Sequence, residues 1–295
     1  MDALPLRSRN VTSLFTLRRN LTNHVVTGVA IISTILVLVP LVAIFGYLLY
    51  KGASSLNLAF FTHVPVPVGE PGGGMANAIA GSGVILGLAS LMGIPIGIGA
   101  GVYLAEYARG TWLGAAVRFT ADVLNGVPSI VMGLAAYTLI VARQQHFSGL
   151  AGSVALAIMM VPTVTRTTEE MLATVPKSVR EAALGLGIPK WRTVISVSLR
   201  TASAGIITGC MLAFARVAGE TAPLLFTAFG NQFWSFDLNQ PIAALPLQIY
   251  VYALSPYDEW HRLAWAGALV LIVMIMASVT LVRIFANRGA LKGGN

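Results

Sequence analysis

The chain has 295 residues and a formal net charge of +8, with 56% hydrophobic and only 10% charged residues; its mean hydropathy is +0.77. A soluble domain carries about 25% charged residues, and several apolar stretches here reach the length that crosses a hydrocarbon core about 30 Å thick, so a soluble protein is excluded. The basic residues lie between the apolar runs with none of the interleaved aromatics that grip single-stranded nucleic acid, which excludes a nucleic-acid partner. The single cysteine, Cys210, sits inside an apolar run, so no disulfide framework exists within the chain.

In chain order, residues 1–23 are polar and basic, with Arg7, Arg9, Arg18 and Arg19. They precede an apolar run longer than the about 7–15 residues of a signal-peptide core, which predicts a cytoplasmic tail followed by a retained helix. The first span is expected at 25–50, and a loop broken by Pro65, Pro67, Pro71 and glycines 72–74 completes a region 24–75. The following region, 76–286, holds spans at 78–107, 113–141 and 150–168. A polar stretch at 169–192 comes next, then a fifth span at 195–229, a long loop rich in aromatics, Gln, Asn and Pro, and a sixth span at 263–285. Residues 287–295 form a second tail. The expected fold class is therefore an all-α membrane protein of six transmembrane helices. Of the 19 Lys and Arg residues, the side opposite both tails holds only Lys51, Arg143 and Arg262, and Arg216 lies within the membrane. This asymmetry predicts that both termini are cytoplasmic.

Gly93, Gly97 and Gly101 recur along one helix face, and Gly83 and Gly87 do so one stretch earlier. Small residues at this spacing let helices approach closely in lipid, whereas a dinucleotide-binding glycine loop needs a strand–turn–helix context that is missing. Pro95 and Pro128 interrupt backbone hydrogen bonding within spans, which membrane helices tolerate where neighbours satisfy the freed groups. No phosphate-cradling G-x-x-x-x-G-K-[ST] loop occurs. The histidines (His24, His63, His146, His261) show no metal-ligand spacing, and no nucleophile elbow accompanies the Ser and Thr residues. No catalytic residue, metal site or cofactor bound by this chain is expected.

The stretch Arg180 to Arg192 is preceded by an amphipathic-looking segment, 171–179. Glu181, Ala182 and Ala183 are expected on a short helix with a small-residue face, Gly187 in a tight turn after it, and Pro189 at the start of a second helix through Trp191. Such a helix suits a groove on a partner; an ordinary interhelical loop is the alternative. The stretch resembles the EAA loop of binding-protein-dependent ABC importer permeases, whose Glu-Ala-Ala, three residues and Gly are matched by Glu181, Ala182, Ala183 and Gly187. Arg200 stands where that pattern has proline. The resemblance implies that 181–187 dock on a cytoplasmic ATPase subunit.

Arg216 lies at the middle of the fifth span, where a charge costs roughly 2.5–3.5 kcal/mol on insertion scales, so it is expected to face the bundle interior or a water-filled path. Glu220, four residues on, is expected on the same helix face and able to pair with it. Gly219 and Pro223 are expected to distort the helix nearby. Two readings stay open: a structural ion pair, or a guanidinium that attracts a passing oxyanion while Glu220 keeps the hold weak.

The segment Arg216, Gly219, Glu220, Thr221, Ala222, Pro223, Leu224, Leu225 closely resembles permeases of the phosphate-specific transport system. The likeness continues through Leu124-Asn125-Gly126-Val127-Pro128-Ser129-Ile130-Val131. It extends to Asn231-Gln232-Phe233-Trp234, Gln240-Pro241-Ile242-Ala243 and Leu263-Ala264-Trp265-Ala266-Gly267, which resemble the A-type permease of that system. What the resemblance implies is a type I ABC importer core over the later spans, with Arg216, Glu220 and Thr221 on a phosphate pathway. It also implies a homologous C-type permease as heterodimer partner, a cytoplasmic ATPase dimer that uses ATP and Mg, an extracytoplasmic phosphate-binding protein, and a bacterial inner-membrane location. A permease for molybdate or sulfate, a secondary transporter, and a structural membrane protein are the alternatives.

Overall fold

A computed structural model describes residues 11–70 and 72–292 of the chain, with side chains over 15–284 apart from residue 71. Arg7, Arg9, Pro71 and residues 293–295 lie outside the described residues. Two units are distinguished: the chain up to Tyr50, which is the greater part of helix α1 (Val11–Ala53), and the chain from Lys51 onward. The helix continues through 11–23, so the expected tail and first span share one α-helix.

The second unit opens with α2 (Leu58–Thr62), capped by Asn57, whose Oδ1 accepts from the Phe60 amide at 2.8 Å. Helix α3 (Ala76–Val102) runs through Pro95 into a π-helical turn, Tyr103–Tyr107. Helix α4 (Trp112–Gly126) is capped by Thr111. It ends at Val127, which is extended as the residue before Pro128 must be. After the proline come α5 (Ser129–Ala136), a π turn (Tyr137–Val141) and α6 (Ala142–Gln144). Helix α7 (Gly149–Ala173) is capped by Ser148. The polar stretch then holds α8 (Lys177–Gly185) and α9 (Lys190–Thr193), the latter running through a π turn (Val194–Ser198) into α10 (Leu199–Ala218). Last come α11 (Ala222–Thr227), α12 (Leu245–Ala253) and α13 (Asp258–Lys292).

Among the described residues, five helices are long and apolar enough to cross a membrane, and a sixth span results if α4 and the run Ser129–Gln144, bent by 108° at Pro128, count as one. The expected third span is thus a broken one. Helix α7 starts at the expected place but continues past Glu169 and Glu170, so the amphipathic segment expected over 171–179 is instead the end of α7, a turn and the start of α8. Where proline was replaced by Arg200, the helix runs on without interruption. The loop after span five contains α12, which was not expected.

Helix α7 is the centre of this unit. Helix α3 lies along it through the glycine row: a Cβ at Gly97 would stand 2.6 Å from Val164 Cβ, and one at Gly101 2.6 Å from Thr168 Cβ. Gly83 and Gly87 meet nothing within 4 Å of an added Cβ, so their expected packing role is not realised within this chain. Helix α10 crosses α7 at Gly205 and Gly209, against Met171 and Thr167. The main core gathers on these helices. A second cluster joins Phe60 and Met75 to α12 and α13, with Tyr252 stacked on Trp260.

Candidate functional site

Two broken helices meet beside α7. Helix α10 ends at Ala218, with Gly219 as its cap and α11 restarting at Ala222. The reason is local: Pro223 has no N–H to give the Gly219 carbonyl, and glycine is the poorest helix former after proline. Helix α5, which follows the other break, packs on α11 so closely that a Cβ at Gly133 would stand 2.6 Å from Pro223 Cα. Thr221 Oγ1 reaches the Pro246 carbonyl at 3.5 Å, tying the second break to the start of α12.

Arg216 lies in the last turn of α10 and is exposed on the surface of the chain. The C-terminal end of a helix favours a cation by about 0.3–1 kcal/mol. Glu220 is half-buried and lies beyond the helix end. Expected on one helix face, the two residues are separated by the break, and no ion pair joins them among the described residues. The pairing expectation is therefore corrected: it required a helix continuous to Glu220.

Near the other end of the bundle, the EAA residues form the expected short helix. Pro176 precedes α8, Gly187 turns the chain with a φ of 79°, and Pro189 caps α9. A positive φ costs a residue with a side chain roughly 1–2 kcal/mol, so Gly187 suits this turn. Ala183 faces inward and is buried, while Glu181, Ala182, Leu184 and Leu186 are exposed. The outward face is thus acidic and apolar rather than wholly small. Trp191 is exposed beside it, and Lys190 Nζ sits 4.6 Å over the Tyr107 ring.

Three polar rungs between α4 and α7 were not foreseen. Arg118 Nε donates to Glu169 Oε1, Arg166 bridges Asp122 at 2.9 Å and Glu169 at 2.8 Å, and Thr163 Oγ1 donates to Asn125 Oδ1 at 2.9 Å. The ladder climbs from the α8 end of the bundle to the break at Pro128. Part of its signal was present: Asp122 lies inside the predicted third span, where ionisable residues are rare and mark polar contacts or pathways, whereas Arg118 and Arg166 fall near span ends and count with the basic side of the tails. Among the described residues no group of three or more His, Cys, Asp or Glu residues could hold a metal ion.

Residues 93–289 match the family described as binding-protein-dependent transport system inner membrane component. The phosphate transport system permease protein PstA of Yersinia pestis is 53% identical over 239 residues, covering 81% of this chain and 81% of its own length. The protein of the same description from Haemophilus influenzae is 45% identical over 263 residues, covering 89% of this chain and 93% of its own. Among solved structures, the MetNI methionine ABC transporter in an inward-facing conformation superimposes with a TM-score of 0.56 at 17% identity, over 75% of this chain and 98% of that one. An amino acid ABC transporter gives 0.54 at 18% identity, over 72% of this chain and 92% of that one. At such identities the solved structures establish the fold alone.

Proposed function

Because the chain belongs to the binding-protein-dependent transport system inner membrane components, and within them to the phosphate permeases of the PstA type, we propose that it forms one half of a phosphate import pathway lined by Arg216. The chain is a multi-pass permease subunit of an ABC importer, a class that works with a partner permease, an ATPase and a binding protein. In this reading the partner permease is a homologous C-type subunit. Two ATPase copies use ATP and Mg on the cytoplasmic side, and an extracytoplasmic protein delivers phosphate. The chain itself binds no cofactor. It lies in the bacterial inner membrane with both termini and α8 on the cytoplasmic side, as the distribution of basic residues supports.

The observation that carries the pathway reading is the exposure of Arg216 on the single chain, in the last turn of a helix broken within its span. A guanidinium there is too costly to face lipid, so this face is turned to the partner permease and to water. Its fork matches the oxyanion geometry of phosphate. The non-helical backbone at 219–221 is tolerated at membrane depth where it is covered by protein or lines a wet cavity. Glu220, displaced past the break, lowers the local positive potential without neutralising Arg216, so the anion is held weakly enough to leave. Alternating access then follows when the ATPase dimer closes, α8 is displaced, and the two broken helices change sides.

The test is Arg216→Gln in a reconstituted complex. Losing a charge-assisted contact of about 1.5–3 kcal/mol lowers uptake roughly ten- to hundredfold, at about 1.4 kcal/mol per decade, with assembly unchanged. Uptake at the wild-type rate in an intact complex would remove Arg216 from the pathway.

A further inference from the structure

Immediately before Glu181 in the chain stands a residue that neither the EAA resemblance nor the pathway uses. Arg180 is on a helix whose outer face is exposed, yet its own side chain is only 12% exposed. Its guanidinium reaches three separate elements. Nη1 donates to the Val175 carbonyl at 3.1 Å, in the turn just after α7, and Nη2 to that of Leu172, in the last turn of α7. Nη2 also lies 3.0 Å from Oε1 of Glu106, in the π turn that extends α3. Nε donates to Ser198 Oγ at 3.4 Å, in the π turn that leads into α10.

The partner carboxylate is as enclosed as the guanidinium. Glu106 is 8% exposed, and Arg180 is the one cation within ion-pair distance of it among the described residues. Its Oε1 accepts no aligned hydrogen bond, so the contact is a charge attraction rather than a directed bond. The same π turn is gripped from the other side, where Arg118 Nη2 donates to the Leu104 carbonyl at 3.1 Å. Two of the elements joined by Arg180 are π-helical, a rare geometry that recurs at functional sites. A planar fork can point donors in three directions at once, which an ammonium on a flexible stem does not reproduce.

We propose that Arg180 is the positioning residue that transmits movement of the docking helix, fastening α8 to the ends of α3, α7 and α10 together. Displacing α8 then carries the three membrane helices as one body instead of bending a loop. Glu106 is the buried countercharge that keeps the guanidinium in place. The inference rests on the reading of α8 as the ATPase-docking helix. Glu181 and Ala182 face outward for that purpose while Arg180 faces inward, so the two functions are carried by adjacent residues on opposite sides of one helix turn.

The experiment measures ATP hydrolysis and phosphate uptake in proteoliposomes containing the whole complex, with Arg180→Gln, Arg180→Lys and Glu106→Gln in this chain. The expected result is normal co-purification of the ATPase, continuing hydrolysis, and phosphate moved per ATP reduced on the order of tenfold. A buried pair that only stabilised the fold would lower the yield of complex and leave that ratio alone. If Arg180→Gln fails to assemble, Arg180→Lys decides, because it keeps the charge and loses the fork. A wild-type ratio in the assembled variant overturns the inference. Failure of the docking reading has a different signature: Glu181→Lys then leaves ATPase association unchanged, whichever way the Arg180 ratio falls.

Discussion

The glycine row of α3 offers a graded perturbation whose size follows from distances. An alanine Cβ at Gly97 would stand 2.6 Å from Val164 Cβ, 2.8 Å from its Cγ1 and 3.1 Å from the Val161 carbonyl. Val164 is fully buried and β-branched, so it has no alternative rotamer to retreat into. At Gly101 the nearest atoms are Thr168 Cβ at 2.6 Å and the Thr165 carbonyl at 2.7 Å, the latter being backbone of the facing helix. At Gly93 the closest approach is 3.1 Å, to Met160 Cβ. At Gly87 nothing lies within 4 Å. Overpacking a filled interface costs about 1–3 kcal/mol, while an unopposed Gly→Ala change in a helix gains up to about 1 kcal/mol of propensity. Gly97→Ala and Gly101→Ala should therefore destabilise by about 1–3 kcal/mol, Gly93→Ala by less, and Gly87→Ala not at all. Denaturant titration of the purified permease in mixed micelles, read by helicity, gives the order. If Gly97→Ala and Gly87→Ala unfold at the same midpoint, α3 does not rest on α7 through this row.

Two further outcomes are expected. Glu181→Lys reverses the charge on the exposed face of α8 without touching Arg180, and should reduce ATPase association in pull-down; unchanged co-purification would count against docking there. Glu169→Gln leaves Arg118 without its carboxylate while Arg166 keeps Asp122. Because both arginines are partly solvated, the cost is about 1–2 kcal/mol. A double-mutant cycle should show Glu169 coupled to Arg118, and strict additivity of Glu169→Gln with Arg118→Gln would disprove that rung.

The spans were legible because lipid demands long apolar runs, and that demand is written directly in composition. The turn after the EAA helix and the start of α9 were legible because Gly187 and Pro189 act on the chain within a residue or two of where they stand, whereas the break at Pro176 was passed over within the segment read at 171–179. What a proline does inside a span was not: Pro95 and Pro162 stay within α3 and α7, whereas Pro128 ends α4 with a 108° bend. The outcome depends on what packs beside the freed carbonyls, which sequence spacing does not contain. The Arg216–Glu220 pairing failed for the same reason, since a four-residue spacing means proximity only while the helix lasts. The rungs between α4 and α7 join residues up to 51 positions apart, beyond the reach of any local pattern. Helix α12 was hidden in a loop composition of Pro and aromatics, with Pro246 in its first turn.

The bend at Pro128 bears on how the chain enters the membrane during synthesis. Helix α4 has 15 residues, about 22 Å at 1.5 Å per residue, and the run that follows Pro128 is of similar length. Neither half alone matches a hydrocarbon core of about 30 Å. Its two best supports, the polar rungs on α7 and the Pro223 face of α11, belong to segments synthesised later. The third span therefore leaves the ribosome before either of the segments that support its two halves has been made.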